Sequence, residues 1–196
     1  MSRLALHGGS PARTLELPTW PVCDAREEEA LLSVLRSGQW GRLSGTFVRS
    51  VEERFADYVG TSRAIAFNSG HTALRMALLA LDPEPGAEVI LPPYTFVASG
   101  AAIVSANLTP VFADIDAGSF CLDPRAVEAA ITPRTRAIMP VHLGGQIADM
   151  DAILDIAKAR NLKVVEDCAQ AIGATWEWRP LGGVGDIGCV SFYPTK

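Results

Sequence analysis

EVILPPYTFVASGAAIVSANLTPVFADI, residues 88–115, sets two short apolar runs, EVIL and PVFADI, around a segment, 94–107, long enough for a helix. Apolar runs this short suit strands buried on both faces. Strand, helix and strand in succession call for a right-handed crossover between parallel strands. The alternation extends in both directions. Upstream, AIAF (64–67) leads through NSG into a helix over HTALRMALLAL (71–81). Downstream come a helix at 123–131, the strand AIMPV (137–141), a helix at 149–161 and the strands KVVED (163–167) and CVSF (189–192). An α/β fold follows: a mostly parallel sheet with helices on both faces.

Ahead of this region, residues 1–24 read as an irregular arm rich in Pro and Gly. Two helices then follow. In DAREEEALLSVLRSG (24–38) acids crowd the first turn, Leu31, Leu32 and Leu35 supply an apolar face, and Gly38 stops it. In VRSVEERFADYVG (48–60) the face is Val48, Val51, Phe55, Tyr58 and Val59, and the stop is Gly60.

The 196 residues are 48% hydrophobic, ample for a core, and carry a formal net charge of -5 without a basic run. That removes a nucleic-acid footprint and favours small-molecule chemistry. No stretch approaches the apolar length of a membrane span, and the arm lacks a signal peptide's apolar core. Cys23, Cys121, Cys168 and Cys189 are too dispersed for a zinc site, so no metal is expected and reduced thiols in a cytoplasm fit best. His7 and His142 stand alone and read as structural. Asp114 and Asp116 shape the turn after PVFADI. Trp40, in the loop 39–47, is placed to reach a substrate or a partner subunit.

In open α/β sheets ligands bind beyond the carboxyl ends of the strands. Four segments lie there. NSGHTAL (68–74) starts a helix whose free N–H groups suit a phosphate at Gly70, or is simply an ordinary cap on Ser69. PPYTFVAS (92–99) puts Phe96 where an aromatic stacks on a planar ring or joins the core. In KVVEDCAQA (163–171) Glu166 and Asp167 face opposite ways. Asp167 then meets a cation such as a protonated ring nitrogen, or caps a helix over CAQAIGA. CVSFYPTK (189–196) ends on Lys196, the one lysine of three that follows a strand's carboxyl end; Lys158 and Lys163 lie elsewhere. Lys196 is an imine-forming amine or a solvated terminal side chain. Phosphate, stacked ring, ring nitrogen and aldehyde are the four handles of pyridoxal 5'-phosphate, and together they describe that one ligand.

These residues, with FADYVG, PVFADID, TPRTRAIMPVHLGG, VVEDCAQAIGA, GDIG and SFYPTK, resemble the DegT/StrS-type pyridoxal-phosphate aminotransferases along nearly the whole chain. The resemblance implies an aspartate-aminotransferase-like (fold type I) large domain over 25–196, incomplete, with the C-terminal small domain absent. It implies amino transfer from glutamate or glutamine to a nucleotide-linked keto-sugar or a keto-cyclitol, in a homodimer when full length. Lys196 looks like the cofactor-bound lysine, Asp167 the ring-nitrogen partner and Gln170 the neighbour of the cofactor's 3-oxygen. Phe96 resembles the stacking aromatic, and Gly70, His71 and Ser191 fall on phosphate-binding positions. His71 replaces the family's usual Thr or Ser, so a hydroxyl contact is lost unless Thr72 supplies one. A deoxysugar dehydratase of the same fold has His in place of the lysine, which Lys196 opposes; a non-catalytic binding protein keeping the fold is the other alternative. A Rossmann-type domain lacks its G-x-G-x-x-G here. A chain with half its fold is expected to leave sheet edges and apolar faces uncovered, giving poor solubility or dependence on a missing partner.

Overall fold

The computed structural model describes residues 3–16 and 21–196. Part of the arm, including Trp20, lies outside the described residues. Helices α1 (Ala25–Ser37), α2 (Phe47–Val59) and α3 (Gly70–Ala80) precede strand β1 (Glu88–Leu91). Then come α4 (Ala98–Ser105), β2 (Thr109–Phe112), α5 (Pro124–Ala130), β3 (Thr135–Ile138), α6 (Met150–Arg160) and β4 (Lys163–Asp167). A small hairpin, β5 (Thr175–Trp176) and β6 (Arg179–Pro180), leads to β7 (Ile187–Cys189). Strands β2-β1-β3-β4-β7, in that order, form one sheet, parallel throughout.

The period-two alternation of the strands divides the core in two. Ile90, Ile138 and Val164 face Val127 of α5 and Met150, Ile153 and Ala157 of α6. Val89, Leu91, Ala137 and Val165 face Leu74 and Leu78 of α3 and Ala102 and Ile103 of α4. Each buried Val, Leu, Ile or Met side chain contributes about 1.5–3 kcal/mol, which seats the helices on the sheet. The helix starts are written locally. Asp24 and Glu27 form a capping box on α1, Ser69 caps α3, and Asp123 and Asp149 cap α5 and α6.

The α/β expectation holds, and the differences have local causes. Residues 64–67 do not join the sheet; the Ala66 N–H goes to the buried Glu52 carboxylate at 2.9 Å instead of to a neighbouring strand. The helix expected over 94–107 runs only from Ala98 to Ser105; the segment before it is a bend in which the Thr95 and Ser99 hydroxyls lie 2.8 Å apart. Strand β7 stands earlier than 189–192: β4 ends at Asp167, paired with Cys189, so Val190 onward has no strand to follow. No helix forms over CAQAIGA, which runs as turns. The apolar faces read for α1 and α2 match what is buried only in part: Val59 is buried and Leu32, Val48 and Phe55 are half-buried. Leu31 and Leu35 are exposed on α1, and α2 buries Glu52, Ala56 and Val59 while Val51 and Tyr58 stay exposed. Arg42 explains the buried acid, donating from Nε to both Glu52 oxygens at 2.8 and 2.9 Å. That bond set holds the Glu52 carboxyl below its ordinary value.

Candidate active site

Strand polarity sends the segments after β1, β4 and β7 to one end of the sheet, where α3 also begins. The start of α3 is built from close approach. A Cβ on Gly70 would lie 3.0 Å from Ser191 Cβ and 3.3 Å from Ser191 Oγ, so only glycine lets the first turn of α3 sit against Ser191 without a shift. The first N–H groups of α3 have no intrahelical acceptor. Ser69 takes one of them, accepting the Thr72 N–H at 3.1 Å, and its Oγ lies 3.0 Å from Thr72 Oγ1. Thr72's hydroxyl is therefore engaged with the cap. His71 turns its ring toward α4, with Nε2 3.5 Å from Ser105 Oγ. Ser69 thus caps the helix, and Gly70 packs closely against Ser191 beside the cap.

Phe96 is exposed in the bend between β1 and α4, and Lys196 Nζ stands 5.9 Å from its ring centroid. Of the other lysines, Lys163 pairs with Asp186 at 2.7 Å and Lys158 is exposed on α6. The segment carrying Lys196 is pinned by Phe192, edge-on to Phe55 of α2 at 5.7 Å, and by the Lys196 N–H donating to the Tyr193 carbonyl at 2.9 Å. Asp167, buried, accepts the Ser99 hydroxyl at 2.7 Å and the Ala169 N–H at 3.1 Å. Gln170 Oε1 accepts the Gly144 N–H at 3.2 Å. Phe96 and Gln170 share the lining of a cleft of about 490 Å³ with Tyr94, Thr95, Phe120 and Gln146. The sequence reading missed Thr95, Ser99, Tyr94 and Phe120. Phe120's backbone, at φ 60, is left-handed and aims its ring at Tyr94, which no pattern of residue types announces.

Glu166 points to the other face, as the alternation requires. Its Oε1 accepts the N–H groups of Val184 and Gly185, and its Oε2 accepts those of Gly182 and His142 Nε2. Burial pushes its carboxyl up, but the His142, Gly185 and Gly182 bonds outweigh that and leave it below its ordinary value. His142 Nδ1 accepts the Ala148 N–H, which fixes the ring proton on Nε2. His142, Glu166 and Cys168 bring one ligand atom each within 4.8 Å of one another. All four acceptor positions of the carboxylate are already filled, and burial pushes the Cys168 thiol far up, so the cluster ties loops rather than a cation. Cys189 beside it is likewise pushed up, to about 12. Asp116 accepts the Gly118 and Ser119 N–H groups and shapes its turn as expected, while Trp40 is exposed with its Nε1 on the Leu35 carbonyl at 3.3 Å.

The family model of the DegT/DnrJ/EryC1/StrS aminotransferases matches residues 21–196. The chain belongs to that family. It is 44% identical over 201 residues to L-glutamine:2-deoxy-scyllo-inosose aminotransferase of Streptomyces kanamyceticus, covering 100% of this chain and 47% of the relative. With GDP-perosamine synthase of Caulobacter vibrioides it shares 46% over 176 residues, covering 90% of this chain and 47% of that protein. NtdA from Bacillus subtilis, solved with bound cofactor PMP, superimposes with a TM-score of 0.84 at 37% identity, covering 94% of this chain and 43% of that one. The chain therefore spans about half the length of the relatives it matches. Across the DegT/DnrJ/EryC1/StrS match, the family's α/β fold is the one described above. Among the described residues no helix is long and apolar enough to cross a membrane.

Proposed function

We propose that the chain is the cofactor-holding part of a pyridoxal-phosphate-dependent aminotransferase. In the whole protein it would move an amino group from glutamate or glutamine to a ketone on a nucleotide-linked sugar or a cyclitol. The observation that carries this reading is the meeting, at one end of the sheet, of the Gly70–Ser191 contact, the Phe96 ring, the buried Asp167 carboxylate and the Lys196 amine. The residues present fit the group. A glycine that packs against Ser191 at the helix start suits a phosphate approaching backbone N–H groups, and a buried carboxylate whose protein bonds, from Ser99 and Ala169, leave acceptor positions unused suits a protonated ring nitrogen. Relatives named for a cyclitol and for a GDP-linked sugar support the substrate class.

When bound, the cofactor supplies an aldehyde for amines and a ring that withdraws electrons from the reacting carbon. The N–H groups of Gly70 and His71 and the Ser191 hydroxyl would hold the phosphate. Phe96 would stack on the ring and limit water there. Asp167 would hold a proton on the ring nitrogen, and Gln170, already fixed by Gly144, would lie near the 3-oxygen. Lys196 would be the amine that holds the aldehyde and, when free, the base and acid that moves a proton at the substrate carbon through Nζ. Residues 25–196 then belong to one cofactor-binding large domain preceded by the arm 1–24, in a cytoplasmic homodimer. The chain's many exposed apolar side chains support a further surface packing on it.

The test is covalent. Borohydride added to the chain with pyridoxal phosphate should fix the cofactor on the peptide bearing Lys196, read by mass spectrometry, and Lys196→Ala should remove that label. Labelling confined to Lys158 or Lys163 would overturn the assignment.

A further inference from the structure

We propose that Ser99, itself held by Thr95, is a positioning residue that sets the orientation of the Asp167 carboxylate. The inference rests on the reading of Asp167 as the partner of the ring nitrogen. Asp167 ends β4, and Ser99 lies in the first turn of α4, far away in sequence; the two meet at 2.7 Å with both residues buried. A hydroxyl has one proton, and a carboxylate only accepts. Ser99 therefore gives its proton to Asp167 Oδ2. Its 2.8 Å contact with Thr95 Oγ1 must then be filled by the Thr95 proton, so the chain of donation runs from Thr95 to Ser99 to Asp167. Hydrogen bonds aligned in this way reinforce one another.

The arrangement has a geometric consequence. Rotation of a carboxylate about its last bond is soft, with broad two-fold wells. Here the Ala169 N–H grips Oδ1 and the Ser99 hydroxyl grips Oδ2, which locks the plane from both sides. The Ser99 N–H also donates to the Phe96 carbonyl at 3.1 Å. One turn thus fixes both the aromatic that would lie on the ring and the acid that would meet its nitrogen. Thr95, half-buried, joins this hydroxyl pair to the cleft wall that it forms with Phe96.

The experiment loads this chain with pyridoxal phosphate carrying ¹⁵N at the ring nitrogen. The nitrogen's chemical shift reports its proton, and a titration gives the cofactor's Kd. Ser99→Ala should move the shift toward that of Asp167→Asn and raise Kd by about tenfold, the scale of one hydrogen bond to a charged group. Thr95→Val should move both in the same direction by less, and Ser99→Thr, which keeps the hydroxyl, should restore them. In an Asp167→Asn background neither Ser99→Ala nor Thr95→Val should change shift or Kd, because both act through that carboxylate. Unchanged values in Ser99→Ala, or an equal loss in the Asp167→Asn background, would overturn the positioning role. If the unaltered chain takes up no cofactor, or Asp167→Asn leaves the shift where it was, the reading of Asp167 itself falls and the positioning role with it. Melting of each cofactor-free variant separates misfolding from misalignment; should Ser99→Ala not fold, Thr95→Val in the two backgrounds decides.

Discussion

Glu166 and Asp167 are adjacent acids with opposite employment, divided by the strand's alternation. Glu166 receives four N–H donors, three of them from the backbone of residues 182–185, and so fixes the loop that returns the chain to β7. An amide in its place has one acceptor oxygen and turns two donors toward two others. Glu166→Gln is therefore expected to cost about 3 kcal/mol or more, read as a lower urea midpoint. Its acid dependence should change too. A carboxyl held below its ordinary 4.5 binds fewer protons folded than unfolded, so its stabilisation is present above that value and lost as pH falls through the folded one. The unaltered chain should lose stability steeply below about pH 4.5, and the variant's profile should be flatter there. Equal slopes in the two would show that Glu166 is not a group that titrates with unfolding. A nearby glycine has the same character: a Cβ on Gly188 would meet Gly182 Cα at 2.1 Å, so β7 can pass that loop only without a side chain.

At the scale of elements, caps of similar chemistry have different worth because the helices behind them are packed differently. Asp149 caps α6, which drives Met150, Ile153 and Ala157 into the core, and Asp24 caps α1, which buries no residue. Asp149→Ala should lower global stability by about 1 kcal/mol in urea unfolding. Asp24→Ala should leave that midpoint unchanged and speed amide exchange only in the first turns of α1. A shared midpoint shift would mean that α1 unfolds with the rest. Signals of this local kind are what made the fold legible. Asp and Ser at helix starts, Gly38 and Gly60 at stops and the apolar runs at β1 and β4 are all written within a few residues. Less legible was whatever depends on a partner distant in sequence. Ala64–Phe67 reads as a strand by composition, but a strand needs a neighbour, and Ala66 found Glu52. The meeting of Ser99 with an acid on β4 was hidden for the same reason. Gly70, Phe96 and Lys196 were visible as ends of elements, whereas Thr95, Ser99 and Phe120 act through side-chain contacts and a left-handed backbone that no spacing encodes.

Across the whole molecule, area is the revealing quantity. The chain exposes 12888 Å², where a compact monomer of 20.9 kDa is expected at roughly 9000 Å². Exposed large apolar side chains recur along the chain: Leu31 and Leu35 on α1, Leu43 in the following loop, Ile65 and Phe67 before α3, and further on Val97, Phe112, Trp178 and Phe192. The two buried clusters on the faces of the sheet are packed in ordinary fashion, so these side chains mark surfaces suited to cover and not a loose interior. At about 25 cal/mol per Å², covering even 800 Å² of apolar area would be worth on the order of 20 kcal/mol before the cost of association is subtracted. Self-association is the expected result. The weight-average mass from sedimentation should rise with protein concentration, and Glu substitutions at Leu31, Leu35 and Leu43 together should reduce that rise without lowering the urea midpoint, since α1 and its loop lend little to the core. A monomer whose mass stays constant with concentration would mean that these side chains are tolerated in water as they stand.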